Sequence, residues 1–360
     1  MESALLPHKQ MLHNKVMIKW LFVVAAIASF FLFAGEALAQ SLGVGATPVQ
    51  YTVTPQAPGP NADVLIEVKG VGTFLGDATI TWQQDGKTVQ SGAGDSSYAF
   101  TTGPLGSNTT VKVTVNSSSQ GTFTKTFTFS PSTINMLWEA NTSAPWWFEG
   151  KSLYTAGSTL TVTALPQVSV GGKGLTSNVF SYQWKVNDTP IPQASGLGKN
   201  QITFAGSQLL PSETADVDVY YAGTLVGHGS VTIPASKAQV MLYERDPLRG
   251  TLFDTALQNS ISLTSTEFTA EAVPFFFANS SVASDAVPFE WKLGGNDTTG
   301  PETANGLLTL RQSGSGAGHA QLEVDMQNND SDKYVQSAQN ALTILFGGAS
   351  NSTFTSFFGL

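Results

Sequence analysis

The chain contains no cysteine. That absence excludes disulfides, thiolate metal sites, cysteine nucleophiles and a lipoprotein-type anchor. Charge is also scarce: only 12% of the 360 residues are Asp, Glu, Lys or Arg, about half the usual share for a soluble domain. The net charge is −9, and no cluster of Lys and Arg lies beyond the N-terminal stretch. A nucleic-acid partner is therefore excluded, because phosphate binding requires clustered basic side chains. Histidine is nearly absent as well. His228 in "LVGHGSV" and His319 in "GAGHAQL" are the two outside the first 13 residues, and they lie far apart. The chain has no G-x-S-x-G, H-E-x-x-H or P-loop sequence. A convergent site for catalysis or for a cofactor is not in view, so neither an enzyme nor a bound cofactor is expected.

Long apolar runs are missing too, with one exception. "WLFVVAAIASFFLFA", Trp20 to Ala34, follows Lys9, Lys15 and Lys19 and precedes the small-x-small sequence Ala37-Leu38-Ala39. This is the layout of an export signal over residues 1–39, cleaved before Gln40. The competing reading is an uncleaved anchor over residues 16–35, but its uninterrupted apolar run, Trp20 to Ala34, falls short of a comfortable span of about 20 residues. Membrane contact is expected only through this segment, and only if it is retained. An exported multidomain chain without cysteine points to a bacterial source, since secreted eukaryotic proteins of this size usually carry disulfides.

What the chain has in abundance is alternation. Apolar residues recur at every second position in Val64-Ile66-Val68, Leu160-Val162-Ala164 and Phe268-Ala270-Ala272. They do so again in Val111-Val113-Val115, Val217-Val219-Tyr221 and Leu322-Val324-Met326. Period 2 is the mark of half-buried antiparallel strands. Three tryptophans, Trp82, Trp184 and Trp291, stand 102 and 107 residues apart, each on such a strand and each followed by a polar turn. The interval suits one sandwich of about 100 residues per tryptophan. Each is expected to be a core residue of a central strand, with an Asp-Gly or Asn-Asp hairpin turn just after it in the first two cases. "NMLWEA" (Asn135–Ala140) matches "VMLYER" (Val240–Arg245), and "LTVTALP" matches "FTAEAVP", which makes the second and third repeats close relatives. The fold expected is all-β: three tandem antiparallel sandwiches. They occupy residues 48–131, 134–233 and 238–346, after a flexible lead at 40–47 and before a flexible tail at 347–360. Short proline-containing linkers, Pro131-Ser132-Thr133 and Pro234-Ala235-Ser236-Lys237, predict a semi-rigid rod.

"ATITWQQDGK", "YQWKVNDTPI" and "FEWKLGGNDT", with "TTGPLGSNTTVKVTV", resemble the tandem immunoglobulin-like and PKD-like repeats of exported bacterial surface proteins. More narrowly, the chain resembles uncharacterised surface proteins of candidate-phyla bacteria. The aromatic-Asp-Phe-Gly-Asp-Gly stretch of PKD repeats is missing, so immunoglobulin-like is the closer description. The resemblance covers roughly residues 48–346 and implies a fold; it brings no catalytic residues with it.

Two stretches are candidates for contact. In "APWWFEG", Trp146 and Trp147 are adjacent and cannot both point inward on an ordinary strand. With Phe148 they form either a platform for a glycan or protein partner, or packing between neighbouring repeats. "PFFF" (Pro274–Phe277) is a possible aromatic counterpart in the third repeat. "NNDSD" (Asn328–Asp332) gathers oxygen ligands of the kind calcium uses, although Asn/Asp clusters more commonly form turns.

The expected role is a non-catalytic stalk, adhesin or scaffold at the cell surface or outside it, with a protein or glycan partner. A carbohydrate-binding array is the alternative, as is an accessory subunit of a pilus or secretion machine, for which "STFTSFFGL" would be a donor segment. When the full chain is made in a bacterial host, intact mass should show a soluble extracytoplasmic product beginning at Gln40. A Met1 or Glu2 start confined to the membrane fraction would establish the segment as an anchor.

Overall fold

A computed structural model describes residues 49–70, 74–170, 173–263, 265–314, 316–333 and 335–347. The export signal, the lead at 40–47 and the tail beyond Gly347 lie outside the described residues.

The alternating sequence forms strands throughout. In the first sandwich these are β1 (Val49–Thr54), β2 (Asp63–Gly70), β3 (Thr79–Gln84), β4 (Lys87–Ala93), β5 (Ser97–Thr101), β6 (Thr109–Ser117) and β7 (Gly121–Phe129). One sheet runs β1-β2-β5 and the other β4-β3-β6-β7, all antiparallel. Val64, Ile66 and Val68 of the first sheet and Ile80, Trp82, Val111, Val113 and Val115 of the second meet in one core. Threonines and charged residues take the outer faces, as the pleat dictates.

The second sandwich repeats the plan. Its strands are β8 (Thr133–Ala140), β9 (Thr159–Gln167), a small side hairpin of β10 (Ser169–Val170) and β11 (Lys173–Gly174), β12 (Ser181–Val186), β13 (Thr189–Pro190), β14 (Gly196–Leu197), β15 (Gln201–Ala205), β16 (Ser212–Tyr221) and β17 (Thr224–Pro234). The sheets run β15-β9-β8 and β13-β12-β16-β17, with β14 also on β12. The third contains β18 (Gln239–Asp246), β19 (Gly250–Thr251), β20 (Ser260–Ser262), β21 (Glu267–Phe275), one helical turn at Asn279–Ala283, β22 (Phe289–Leu293), β23 (Asn296–Asp297), β24 (Leu307–Arg311), β25 (Gly318–Gln327) and β26 (Ser337–Phe346). Here the sheets run β19-β18-β21-β24 and β20-β26-β25-β22-β23, and β20 joins β26 in parallel. A sheet built on the first, second and fifth principal strands faces one built on the other four in every repeat. The chain is thus a tandem array of immunoglobulin-like β-sandwiches.

The three tryptophans occupy one structural position. Trp82, Trp184 and Trp291 lie opposite Val113, Val217 and Val324 on the neighbouring strand, and all three rings are buried. Each indole N–H donates to a main-chain carbonyl in the connection that crosses to the other sheet: Asp95 at 2.7 Å, Lys199 at 2.9 Å and Thr303 at 3.3 Å. The hairpin after each tryptophan turns on two residues of positive φ: Asp85-Gly86, Asn187-Asp188 and Gly294-Gly295. This is the backbone that a two-residue turn matching the strand twist requires. In the first two hairpins the leading side chain also clamps the next strand. Asp85 Oδ1 accepts from Thr110 N at 2.8 Å, and Asn187 Oδ1 accepts from Thr214 N at 2.9 Å.

One expected equivalence is displaced. β8 pairs Met136 with Ala164, whereas β18 pairs Leu242 with the corresponding Ala272. The likeness of "NMLWEA" to "VMLYER" is therefore out of register by one residue, and one residue is enough to exchange the faces of a strand. Leu137 points outward from the second sandwich, and its structural counterpart is Tyr243.

Trp184→Ala removes a fully buried ring and orphans the Lys199 carbonyl. It should cost about 3–5 kcal/mol, read as a lowered denaturant midpoint of the second sandwich's transition. Trp184→Phe should cost less, because most of the ring volume is kept.

Candidate interaction site at the second joint

The long connection from β8 to β9, residues 141–158, leaves the second sandwich and lies on the third. It carries the sequence "APWWFEG". Trp147 stacks on Phe253 with ring centroids 4.8 Å apart and presents edges to Tyr243 at 5.6 Å and Phe275 at 5.8 Å. Phe148 meets Phe275 at 5.6 Å and Phe276 at 5.8 Å. These rings cover the outer face of the β18–β21 pair, where Tyr243, Val273, Phe275 and Phe276 are buried. The first sheet of the third sandwich is thus apolar on both faces, which is why the run "VPFFF" does not alternate. Trp146 shares none of this: it is 90% exposed.

Hydrogen bonds fix the same joint. Ser143 N donates to Phe277 O at 2.7 Å, and Phe276 N donates back to Ser143 O at 2.6 Å. Thr155 Oγ1 donates to Phe276 O at 2.7 Å. Gln336 lies buried at the centre, with every valence of its amide used. Its Nε2 donates to Thr155 Oγ1 at 3.2 Å and Ala156 O at 2.9 Å. Its Oε1 accepts from Ala278 N at 3.0 Å and Asn328 Nδ2 at 2.9 Å. Gln336 and Thr155 had no signal in the sequence, since a single amide and a single hydroxyl in polar surroundings look like surface residues.

The electrostatics are those of packing. Lys151 Nζ stands 3.2 Å from the centroid of the Trp138 ring, a cation–π contact. Burial holds the Lys151 ammonium below the usual lysine range, opposed by the Glu139 carboxylate. Burial likewise raises the Tyr243 phenol. In the "NNDSD" stretch, Asp330 Oδ2 takes the Lys333 ammonium at 2.6 Å and the Ser281 hydroxyl at 3.3 Å, while Oδ1 accepts from Asp332 N. The Lys333 bond, first among several, holds the Asp330 carboxyl below its ordinary value. The Asp330 carboxylate is thus engaged by a lysine and a hydroxyl, and no group of three or more His, Asp or Glu gathers there among the described residues. His228 Nδ1 lies 2.9 Å from Asp218 Oδ1 on an exposed sheet face, and His319 is exposed in another sandwich.

The first joint is much thinner. The connection from β1 to β2 spans only residues 55–62. Ser132 Oγ donates to Val226 O, and Pro131 and Ser132 are buried. On the second sandwich, Leu137 stands where Tyr243 stands on the third. Leu137 is 57% exposed against 5% for Tyr243, because no counterpart of Trp147 covers it.

No protein-family model matches the chain, and no curated protein does. Among solved structures it is similar to fibronectin(III)-like modules of Clostridium thermocellum CbhA, at 13% identity over 52% of this chain and 94% of that one, TM-score 0.27. It is also similar to the SGBP-B protein of a Bacteroides ovatus mixed-linkage glucan utilization locus, solved with a mixed-linkage heptasaccharide, at 10% identity over 82% and 70%, TM-score 0.21. A third is part of a 1.5-MDa bacterial ice-binding adhesin, at 12% identity over 84% and 98%, TM-score 0.23. The assignment to immunoglobulin-like sandwiches rests on strand order and core, not on these likenesses.

Trp147→Ala should weaken the joint by about 2–4 kcal/mol, the range for a large aromatic that is partly buried. Gln336→Leu should have a comparable effect by leaving buried partners unpaired. Both are measured by ¹⁵N relaxation, as tumbling of the third sandwich independent of the second. Trp146→Ala should leave tumbling and stability within about 0.5 kcal/mol of the parent.

Proposed function

We propose that the chain is an exported, non-catalytic stalk or adhesin-type spacer, in which the second and third sandwiches form one rigid arm and the first is joined more loosely. The second joint carries this reading. A loop spent on aromatic cover and a buried amide with four bonds is suited to holding two modules in one relation. Buried polar networks with every group satisfied specify one arrangement, and large apolar joints suppress the relative motion that is otherwise the default between domains. No group of three or more His, Asp or Glu able to hold a metal occurs among the described residues.

Trp146 supports a second element of the reading, contact with a glycan or protein partner. A flat indole, 90% exposed, sits beside rings that hold its backbone still. A pre-ordered aromatic loses little freedom on binding and offers a face for a sugar ring or an anchor for a protein pocket.

Two measurements test the proposal. Small-angle scattering of residues 40–360 should give an elongated particle, and a compact globule would overturn the stalk. Glycan arrays and immobilised cell-envelope fractions should retain the parent protein and lose about tenfold or more with Trp146→Ala, on the scale of an interface anchor. Equal retention of both would remove Trp146 from the reading and leave the stalk.

A further inference from the structure

The first and second sandwiches do not close on each other. Between them lies a cleft of about 390 Å³ with walls from both. The first sandwich brings Val53, the connection at Gln56–Pro58 and the end of β7 from Phe127. The second brings Ser169 and the β16–β17 hairpin around Tyr221, Thr224 and Val226. That hairpin is tied to the joint. β16 pairs Val219 with Gly227 but Tyr220 with Leu225, so Val226 is an extra residue, a β-bulge. The Val226 carbonyl accepts from Ser132 Oγ of the linker. Bulges bend a strand and recur beside binding sites.

The lining contains no Asp, Glu, Lys or Arg. A charged ligand would lose its hydration there without gaining a partner, which favours an uncharged occupant. Two aromatic rings of the lining, Phe127 and Tyr221, are half-buried. Each is anchored in its own sandwich: Phe127 meets Tyr51 edge-on at 5.8 Å, and Tyr221 meets Phe180 edge-on at 6.0 Å. The polar groups of the cleft are unspent. The Gln56 amide and the hydroxyls of Thr128, Ser169, Tyr221 and Thr224 form no side-chain hydrogen bond among the described residues. The buried Tyr154 hydroxyl, by contrast, donates to the buried Glu213 Oε1 at 3.0 Å. Free donors and acceptors beside ordered rings suit a ligand with apolar faces and hydroxyl edges.

We propose that this cleft is a site for a neutral saccharide, held between the first and second sandwiches. The ring faces of the sugar stack on Phe127 and Tyr221, and its hydroxyls bond the Gln56 amide and the serine and threonine hydroxyls. The volume lies within the range of small-molecule sites, about 300–1,000 Å³, and such sites favour domain boundaries. Both sandwiches supply walls, so a ligand that touches both shifts the joint toward the apposed arrangement. The site is separate from Trp146, which stands at the second joint. Binding does not rest on the stalk reading; the stiffening rests on the first joint being the looser one.

The test uses residues 40–360 with methyl-labelled Leu and Val, and with Trp146→Ala to remove the other candidate contact. Titration with cellotetraose, laminaritetraose and maltotetraose should shift the methyl resonances of Val53, Leu225 and Val226 saturably for at least one sugar. With that sugar bound, ¹⁵N relaxation should show the first sandwich tumbling more nearly with the second. Thr224→Arg, at an exposed position, places a charge in the cleft. It should weaken binding about tenfold or more while leaving the thermal midpoint in place. Trigalacturonic acid, a charged saccharide, should leave the three methyl groups unmoved. Absence of shifts with all three neutral sugars would overturn the proposal. So would undiminished affinity in Thr224→Arg, or an equal response to the acidic trimer. Methyl shifts with no change in relative tumbling would overturn the bridging of the two sandwiches.

Discussion

Each sandwich depends on a tryptophan that touches both sheets at once. Its ring fills the core from the second sheet, and its N–H holds the connection that crosses to the first. In a disulfide-bearing immunoglobulin domain a covalent bridge ties the sheets beside such a ring. With no cysteine available, the indole supplies the cross-sheet tie by itself: area through the ring, direction through one hydrogen bond. The turn that follows is bound to the same requirement. Two residues of positive φ place the next strand so that the tryptophan strand stays central rather than at an edge.

The joints are variations on a second constraint, the length of the connection between the first two strands. Eight residues in the first sandwich allow only a light contact with the second. Eighteen in the second sandwich reach across and cover the next sheet with Trp147 and Phe148. The same outer face of the sheet answers each time. Where the loop is short that face shows Leu137 to solvent, and where the loop is long it shows Tyr243 and Phe275 to aromatic rings. Loop length and face polarity must change together, because an apolar outer face without its cover would invite association.

The strands were legible because period 2 survives in any antiparallel sheet with one wet face. The tryptophan position was legible because its spacing repeats. The joint was legible only as a puzzle: "APWWFEG" announced that one indole needed a home, and "PFFF" that a strand was apolar on both faces, but nothing in either run said that they belong to each other. The register of β18 departs from the match of letters for a physical reason. "MLW" and "MLY" are alike as letters, but a strand has no mark saying which residue points inward; the partner strand decides. Gln336 and the Tyr154–Glu213 pair were invisible because satisfied buried polar groups have the composition of surface.

In the proposed stalk these features act through stiffness. A stalk of equal flexible joints would spread its free end over a wide volume, whereas two welded modules swinging on one light joint sweep a narrower path. On that proposal, a contact residue on the second joint would arrive in a fixed orientation relative to the arm. Trp146 stands at that place, next in the chain to Trp147 and Phe148, which are partly buried against the third sandwich. The aromatic cluster is therefore divided. Trp147 and Phe148 pack between the modules, and Trp146 takes no part in that packing.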